Sequence, residues 1–475
     1  RVRRAQRALR RRHPGYEARL ARFMGENPLR EVHETIAAAL APPADVADAP
    51  TVTATGDRLR VAHVVHGWPP WNHAGTEVYA HRLVGAFAAR HDQVVYTRYA
   101  PPDRPFGHAL ERLDRGARVR LVANAFDQRD PFARNALHSR ALRRDFGALL
   151  DETRPDVVHV HHLAGHCLTL PSEAARRGIP ILWQLQDWWS YCARANRLDR
   201  DRRLCDGPGA ARCSRCLPAT RIAPATLWSP LLYALRRALA RRSLRLAAAF
   251  VAGSEAVVAD HRRLGLIPPE TPAHVLDYGV PDLPRVAPGR RHETPKLRLG
   301  FVGTLAPHKG LHVAARALAE LPKPAAGRVR LDVWGEPREG PYAEEVRRLA
   351  EGVDLRFHPP FAEGALAEAL AGLDLLIAPS LGLESFGLAV AEALAAGVPV
   401  LASRRGALVE RLARGGGALF DPDRPETLGE LLRHALDEPD QLEAWRRETP
   451  PQAPFADHVE AIDGIYREIR GRARR

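Results

Sequence analysis

Pro379-Ser-Leu-Gly-Leu-Glu-Ser-Phe-Gly-Leu-Ala-Val-Ala-Glu392, continuing as Ala393-Leu-Ala-Ala-Gly-Val-Pro-Val400, decides the reading of the second half of this chain. The apolar run Leu373–Ala378 ahead of it predicts a strand, and the residues up to Glu392 predict a loop entering a helix. Gly397 ends that helix as a C-cap, and Val398 opens the next strand. Ser385, Phe386 and Gly387 then sit at a helix start, with Leu388 beginning the helix. Unpaired amides and the helix dipole there favour anionic or strongly polar ligands, and glycine lets the backbone approach closely. Glu384 in the loop and Glu392 on the helix are placed to accept hydrogen bonds from two sets of hydroxyls on one ligand.

The same alternation extends in both directions. Leu297–Val302, Val329–Trp334, Asp354–His358 and Val398–Ala402 are further strands of one unit; Leu59–Val65, Gln93–Thr97, Asp156–His161, Ile179–Leu185 and Phe250–Ser254 belong to another. Strands separated by helix-length segments predict an α/β protein of two Rossmann-like, doubly wound parallel-sheet domains. The ligand site then falls beyond the carboxyl ends of the strands, in a cleft between the two domains. Boundaries follow the composition: 1–57 a basic helical extension and linker, 58–285 the first domain, 286–455 the second and 456–475 a C-terminal helix. The Pro- and Arg-rich stretch Pro281–Pro295 links the domains.

Gly303-Thr-Leu-Ala-Pro-His-Lys309-Gly310 directly follows a strand. Only three lysines occur in the chain, and Lys309 is one of them. Its compact ammonium suits a point contact with a diphosphate. The spacing mimics a P-loop, but His308 stands where Gly is required and Gly310 where Ser or Thr would hold magnesium, so an ATPase is disfavoured. In the first domain, Trp68-Pro-Pro-Trp-Asn-His-Ala-Gly-Thr-Glu-Val-Tyr79 places Gly75 and Thr76 at another helix start. A full Gly-x-Gly-x-x-Gly fingerprint is absent, which argues against a dehydrogenase. His159 and His161 share one side of a strand, His161 nearer its carboxyl end.

These residues resemble the retaining GT-B glycosyltransferases of family 4, over roughly residues 58–440. The resemblance implies that residues 58–285 bind the acceptor and 286–455 the donor nucleotide. It implies that Glu392 holds the donor ribose, Glu384 faces the transferred sugar, Lys309 contacts the diphosphate and His161 is the active-site histidine. It also implies a last helix that crosses back onto the first domain. The family's phosphate loop often carries Arg after its first Gly, where this chain has Thr304, and its Gly-Gly loop is Gly75-Thr76 here. The family's His-Asp-Tyr-Trp is Gln186-Asp-Trp-Trp189, so no catalytic role passes to Gln186. The implied reaction is loss of a nucleoside diphosphate through an oxocarbenium-like state, with the leaving charge stabilised by Lys309 and backbone amides. Fixed cations suffice for that, so no catalytic cofactor is expected. The sequence names no nucleophile, which leaves front-face attack and double displacement both open. A same-fold sugar-nucleotide epimerase and a non-catalytic sugar-nucleotide binder remain the alternatives.

Charge and cysteines bear on partners. The formal net charge is +14, and residues 1–20 carry eight Arg against Glu17, a net +7. Basic ends suit a polyanion, but no nucleic-acid motif appears, so a nucleic-acid partner is not expected. The expected partners are a nucleotide-sugar donor and a glycan, lipid-linked or small-molecule acceptor. Residues Leu231–Arg245 read as an amphipathic helix, either facing the core with its arginines outward or lying on an anionic membrane. No apolar run reaches the ~18 residues of a membrane span. The expected location is the cytoplasm, in reach of the inner face of the plasma membrane. Trp68, Trp71, Trp188 and Trp189 are candidates to line the acceptor side. Cys192, Cys205, Cys213 and Cys216 are candidate ligands of a structural zinc.

Overall fold

The computed structural model describes residues 58–474, except 73, 101–103, 125–135, 218–228, 282, 286–295 and 360–364. The extension 1–57 and most of the interdomain linker thus lie outside the described residues.

Residues 56–475 form one compact unit built on two sheets. The first sheet contains β1 (Arg60–Val64), β2 (Asp92–Tyr99), β3 (Ala109–Asp114), β4 (Ala117–Ala123), β5 (Val157–Val160), β6 (Ile181–Leu185), β7 (Ala249–Ala252) and β8 (Ala273–Val275). Its spatial order is β3-β4-β2-β1-β5-β6-β7-β8. The second contains β9 (Leu297–Val302), β10 (Val329–Trp334), β11 (Asp354–His358), β12 (Leu375–Ala378), β13 (Val400–Ser403) and β14 (Gly417–Phe420), ordered β11-β10-β9-β12-β13-β14. Every pairing is parallel except β3 with β4. Strands such as β5, β6 and β7 are buried at every position, as a sheet covered on both faces requires.

Each sheet reverses direction next to its first strand, between β1 and β5 and between β9 and β12. The loops after these four strands therefore open the crevice where doubly wound sheets bind ligands. Those loops carry Gly75-Thr76, His161, Gly303–Gly310 and Glu384–Leu388.

Three pieces of the fold escape the sequence reading. In the β3–β4 hairpin, Arg115 and Gly116 both have positive φ, 51° and 75°. That two-residue turn matches the twist of its strands, but the alternating arginines of β4 mask its apolar face. The three-residue β8 and the glycine-led β14 are too short to show a period. Two of the tryptophans are core rather than acceptor lining: Trp68 and Trp188 are fully buried, whereas Trp71 is exposed.

The helix Phe455–Ala473 packs on β5, β6 and the helix Gly75–Phe87 of the first domain. Its stripe Val459, Ile462, Ile465, Tyr466 and Ile469 joins Leu59, Val61, Leu83, Phe87 and Val157 in one apolar cluster. The spacing is that of a single helix face. Polar ties accompany it: Tyr79 Oη lies 2.7 Å from His458 Nε2, and His91 Nε2 lies 2.9 Å from Asp463.

The helix Ser229–Leu244 departs from a core-facing leucine stripe. It buries Arg236, Ala240, Ser243 and Leu244, whereas Leu231 and Leu235 are 59% and 48% exposed. Arg236 is drawn inward because its guanidinium donates to the carbonyl of Trp189 at 2.7 Å and lies over the Trp189 ring.

Candidate active site

In the second domain the two loops at the point of reversal are fused through their backbones. After β9, a short turn over Pro307–Lys309 leads to Gly310, which has φ 73°. A Cβ at Gly310 would overlap the carbonyl oxygen of Pro379, so only glycine allows this approach. Leu381 N–H donates to His308 O across the same seam at 2.9 Å. Lys309 and Glu384 thereby meet: Lys309 Nζ donates to Glu384 Oε1 at 2.7 Å. Ser380 Oγ donates to the same oxygen. Burial opposes ionisation of Glu384, but the Lys309 charge and the hydrogen bonds from Lys309 and Ser380 outweigh it and hold the carboxyl below its ordinary range. His308 moves to about 4 through burial first and the Lys309 charge second, with Arg194 adding to it. Glu384 is thus an anion and His308 neutral near pH 7.

Glu392 lies one turn into the helix Leu388–Ala395, which no side chain caps. Burial raises its pKa, and Arg82 from the first domain, 3.4 Å away, only partly offsets this. The starts of the two domains' helices face each other: a Cβ on Gly75 would touch Leu388 Cδ1 at 3.5 Å. Gly75, Thr76, Gly387 and Leu388 thus bring two uncapped helix N-termini to one place, a favourable seat for an anion.

Ser385 and Phe386 are committed to joining the domains. Ser254 Oγ donates to Ser385 O at 2.8 Å. The Phe386 ring, 2% exposed, stacks on Tyr278 at 4.4 Å and carries the Arg411 guanidinium 3.8 Å from its centroid. Their amides remain beside the site; the aromatic side chain is spent on packing.

On the first domain's side, His161 is completely buried. Its Nε2 faces His63 Nδ1 at 3.0 Å, and its ring stacks on His159. Its neighbour His162 holds Asp187 at 3.2 Å, and Trp189 N–H donates to the same carboxylate at 2.7 Å. His66 lies 3.2 Å from Glu77. His63, Gln93, Arg82, Ser380, His162, Asp187 and Gly406 are therefore site neighbours that the sequence reading missed. Gly406 had a usable signal, a glycine just past a strand of the second domain; its Cβ would overlap Glu384 O. The others are ordinary polar residues whose meeting depends on tertiary contact.

The cysteine-bearing loop between β6 and β7 crosses to the second domain. Leu198 enters that domain's apolar cluster, Leu383 N–H donates to Asn196 O at 3.3 Å, and Arg202 pairs with Glu345 at 2.7 Å. Cys213 and Cys216 are one turn apart on the short helix Ala210–Cys216. Burial first, and neighbouring thiols second, raise Cys192, Cys213 and Cys216, with Cys205 the thiol that acts on Cys213. Among the described residues no three of the four sulfurs lie within 4.8 Å of one another; His63, His159 and His161 are the group that does bring three ligand-type atoms that close.

Solved structures share this architecture at low identity. Sucrose-phosphate synthase from Thermosynechococcus elongatus superposes with TM-score 0.61 at 17% identity, covering 87% of this chain and 99% of that one. HepE from Anabaena, solved with UDP and glucose, gives 0.60 at 15%, covering 86% and 99%. The fold is thus GT-B, two facing Rossmann-like domains with a cleft between them. Two family models divide the chain: Glycosyltransferase Family 4 matches residues 73–282 and Glycosyl transferases group 1 matches 288–451. The chain belongs to this glycosyltransferase family. Among curated relatives, D-inositol 3-phosphate glycosyltransferase of Rhodococcus opacus is 33% identical over 206 residues, 40% of this chain and 46% of that protein. The counterpart from Mycolicibacterium smegmatis is 32% identical over 219 residues, 44% and 48%. The chain therefore spans about half the length of the curated relatives it matches.

Proposed function

We propose that this protein transfers a sugar, with retention, from a nucleoside-diphosphate sugar to an acceptor hydroxyl. The observation that carries the reading is the Lys309–Glu384 pair at the joined loops, followed by the helix that carries Glu392 and whose start faces Gly75. Lys309 and the helix amides would take the diphosphate, Glu392 the ribose, and Glu384 the transferred sugar. His161 and the His162–Asp187 pair lie on the acceptor side. UDP bound by HepE and the inositol phosphate named in the curated relatives favour a uridine donor and a polyol or glycan acceptor. The test is incubation with UDP-, GDP- and ADP-sugars while nucleotide release is followed. Release from none of them, by folded protein supplied with polyol and glycan acceptors, would count against the assignment.

The chemistry needs no metal, since Lys309 and the helix amides stabilise the leaving charge. A structural zinc on Cys192, Cys205, Cys213 and Cys216 is a separate proposal. It rests on four thiols in one loop, and a cation would offset the burial that raises Cys192, Cys213 and Cys216. Zinc would draw the sulfurs together and fix the loop that meets the donor side; metal analysis of purified protein decides it.

Lipid-linked acceptors are the third element. The described helices include none long and apolar enough to cross a membrane. The helix Ser229–Leu244 instead offers exposed Leu231 and Leu235 beside the arginines of its outer side, which suits the surface of an anionic bilayer at the cytoplasmic face. Sedimentation with phosphatidylglycerol vesicles, lost in a Leu231→Glu/Leu235→Glu variant, is the expected result.

A further inference from the structure

The hydrogen bonds behind His161 fix where its proton sits. They start at a backbone carbonyl, which can only accept. Gln93 Nε2 donates to Val84 O at 2.9 Å, and this sets the amide's orientation. Gln93 then presents Oε1 to His63 Nε2 at 3.1 Å. That oxygen also only accepts, so His63 carries its proton on Nε2. Burial keeps His63 neutral, with its pKa near 3, and a neutral imidazole holds one proton. His63 Nδ1 is therefore a lone pair, 3.0 Å from His161 Nε2, so His161 donates from Nε2. His161 is held neutral as well, by burial first and then by the neighbouring histidines. Its Nδ1 is left bare, and that nitrogen is buried with no hydrogen-bond partner. A buried acceptor without a donor is costly, and His161 directly follows β5, at the sheet end where the crevice opens.

We propose that Gln93 and His63 are positioning residues that hold His161 in the Nε2–H tautomer, so that its Nδ1 accepts a hydrogen bond from a substrate hydroxyl. The proposal rests on His161 being part of the transferase site. None of the sequence motifs singles out either residue: Gln93 opens a strand and His63 sits inside one. Gln93 on β2, His63 on β1 and His161 just past the end of β5, on three neighbouring strands, line up the relay. The three-histidine cluster has a rival use as a metal site. An ion held by His63 Nδ1 and His161 Nε2 would replace the hydrogen bond between them, so the two readings exclude each other.

The test labels the histidine rings of the full chain with nitrogen-15 and identifies the His161 signals as those lost in His161→Gln. A protonated Nε2 and a bare Nδ1 are expected. A protonated Nδ1, or stoichiometric metal with matching shifts on His63 and His161, overturns the proposal whatever the activity. A kinetic arm compares His63→Leu, which removes the acceptor for His161 Nε2–H, with His63→Asn, whose oxygen can replace it. His63→Leu should lower kcat on the order of 10²-fold with little change in the donor KM, and His63→Asn should recover most of that loss. Equal loss in both folded variants overturns the proposal. Full turnover by folded His161→Gln overturns it through its parent reading, and the nitrogen spectrum then still tells which of the two failed.

Discussion

The carbonyl of Pro379 occupies the space that a side chain on Gly310 would need, so the loops after β9 and β12 touch backbone to backbone. This seam lets an ammonium from one loop reach a carboxylate on the other. Gly310→Ala would both push the loops apart and place Ala at a φ of 73° that favours glycine. We expect it to lower donor affinity at least as much as Ser380→Ala, which removes one hydrogen bond and leaves the seam in place. Titration with UDP checks this; unchanged affinity in Gly310→Ala would remove the seam from the argument.

Lys309→Ala should leave the fold intact and reduce turnover by on the order of 10²-fold or more, as for loss of a group that stabilises developing negative charge. Lys309→Arg should not restore it fully, because the point contact with Glu384 at 2.7 Å does not accommodate a planar fork. Steady-state kinetics on a competent donor measure both.

The buried histidines make stability depend on pH. His63 is held near 3, and His166 and His458 near 4, in each case chiefly by burial. Their pKa values in the unfolded chain are about 6.5. Between those limits the unfolded chain binds more protons, so stability falls as pH falls. Glu384, with its folded pKa depressed, adds a loss at lower pH, as the solution passes below the ordinary carboxylate range. Urea midpoints should decline steadily from about pH 6.5 to pH 4; a flat profile would mean that these histidines are solvated in solution.

Phe386→Ala should cost about 3–5 kcal/mol, since its ring fills the space between Tyr278, Gly253 and Arg411. Thermal or urea unfolding measures the loss. A cost below ~1 kcal/mol would show that the ring is not a buried plug.

The sheets were legible because strands buried on both faces are largely apolar runs: β12 and β13 are nearly continuous ones, and β9 and β10 are broken only by Arg298, Arg330 and Asp332. The Glu384–Glu392 and Gly303–Gly310 segments were legible because strand, glycine and helix follow one another directly in sequence. The hairpin was hidden by Arg118 and Arg120, which pair with Glu111 across the strands and leave no simple period. In the sequence Leu231 and Leu235 share a helix face like any other; that Arg236 takes the inner side depends on Trp189, 47 residues away. Gln93 and His63 gave no signal at all, because their use lies in the register of three strands and not in local order.

The helix Phe455–Ala473 completes the apolar face of a domain that begins near Leu59. On the ribosome, the first domain would emerge with Leu59, Leu83 and Phe87 uncovered, and would wait for the whole second domain to be synthesised before that surface closes. Nascent chains halted before residue 455 should therefore be sticky, chaperone-dependent intermediates. Maturation of the first domain is thereby timed by the arrival of a helix that follows the second.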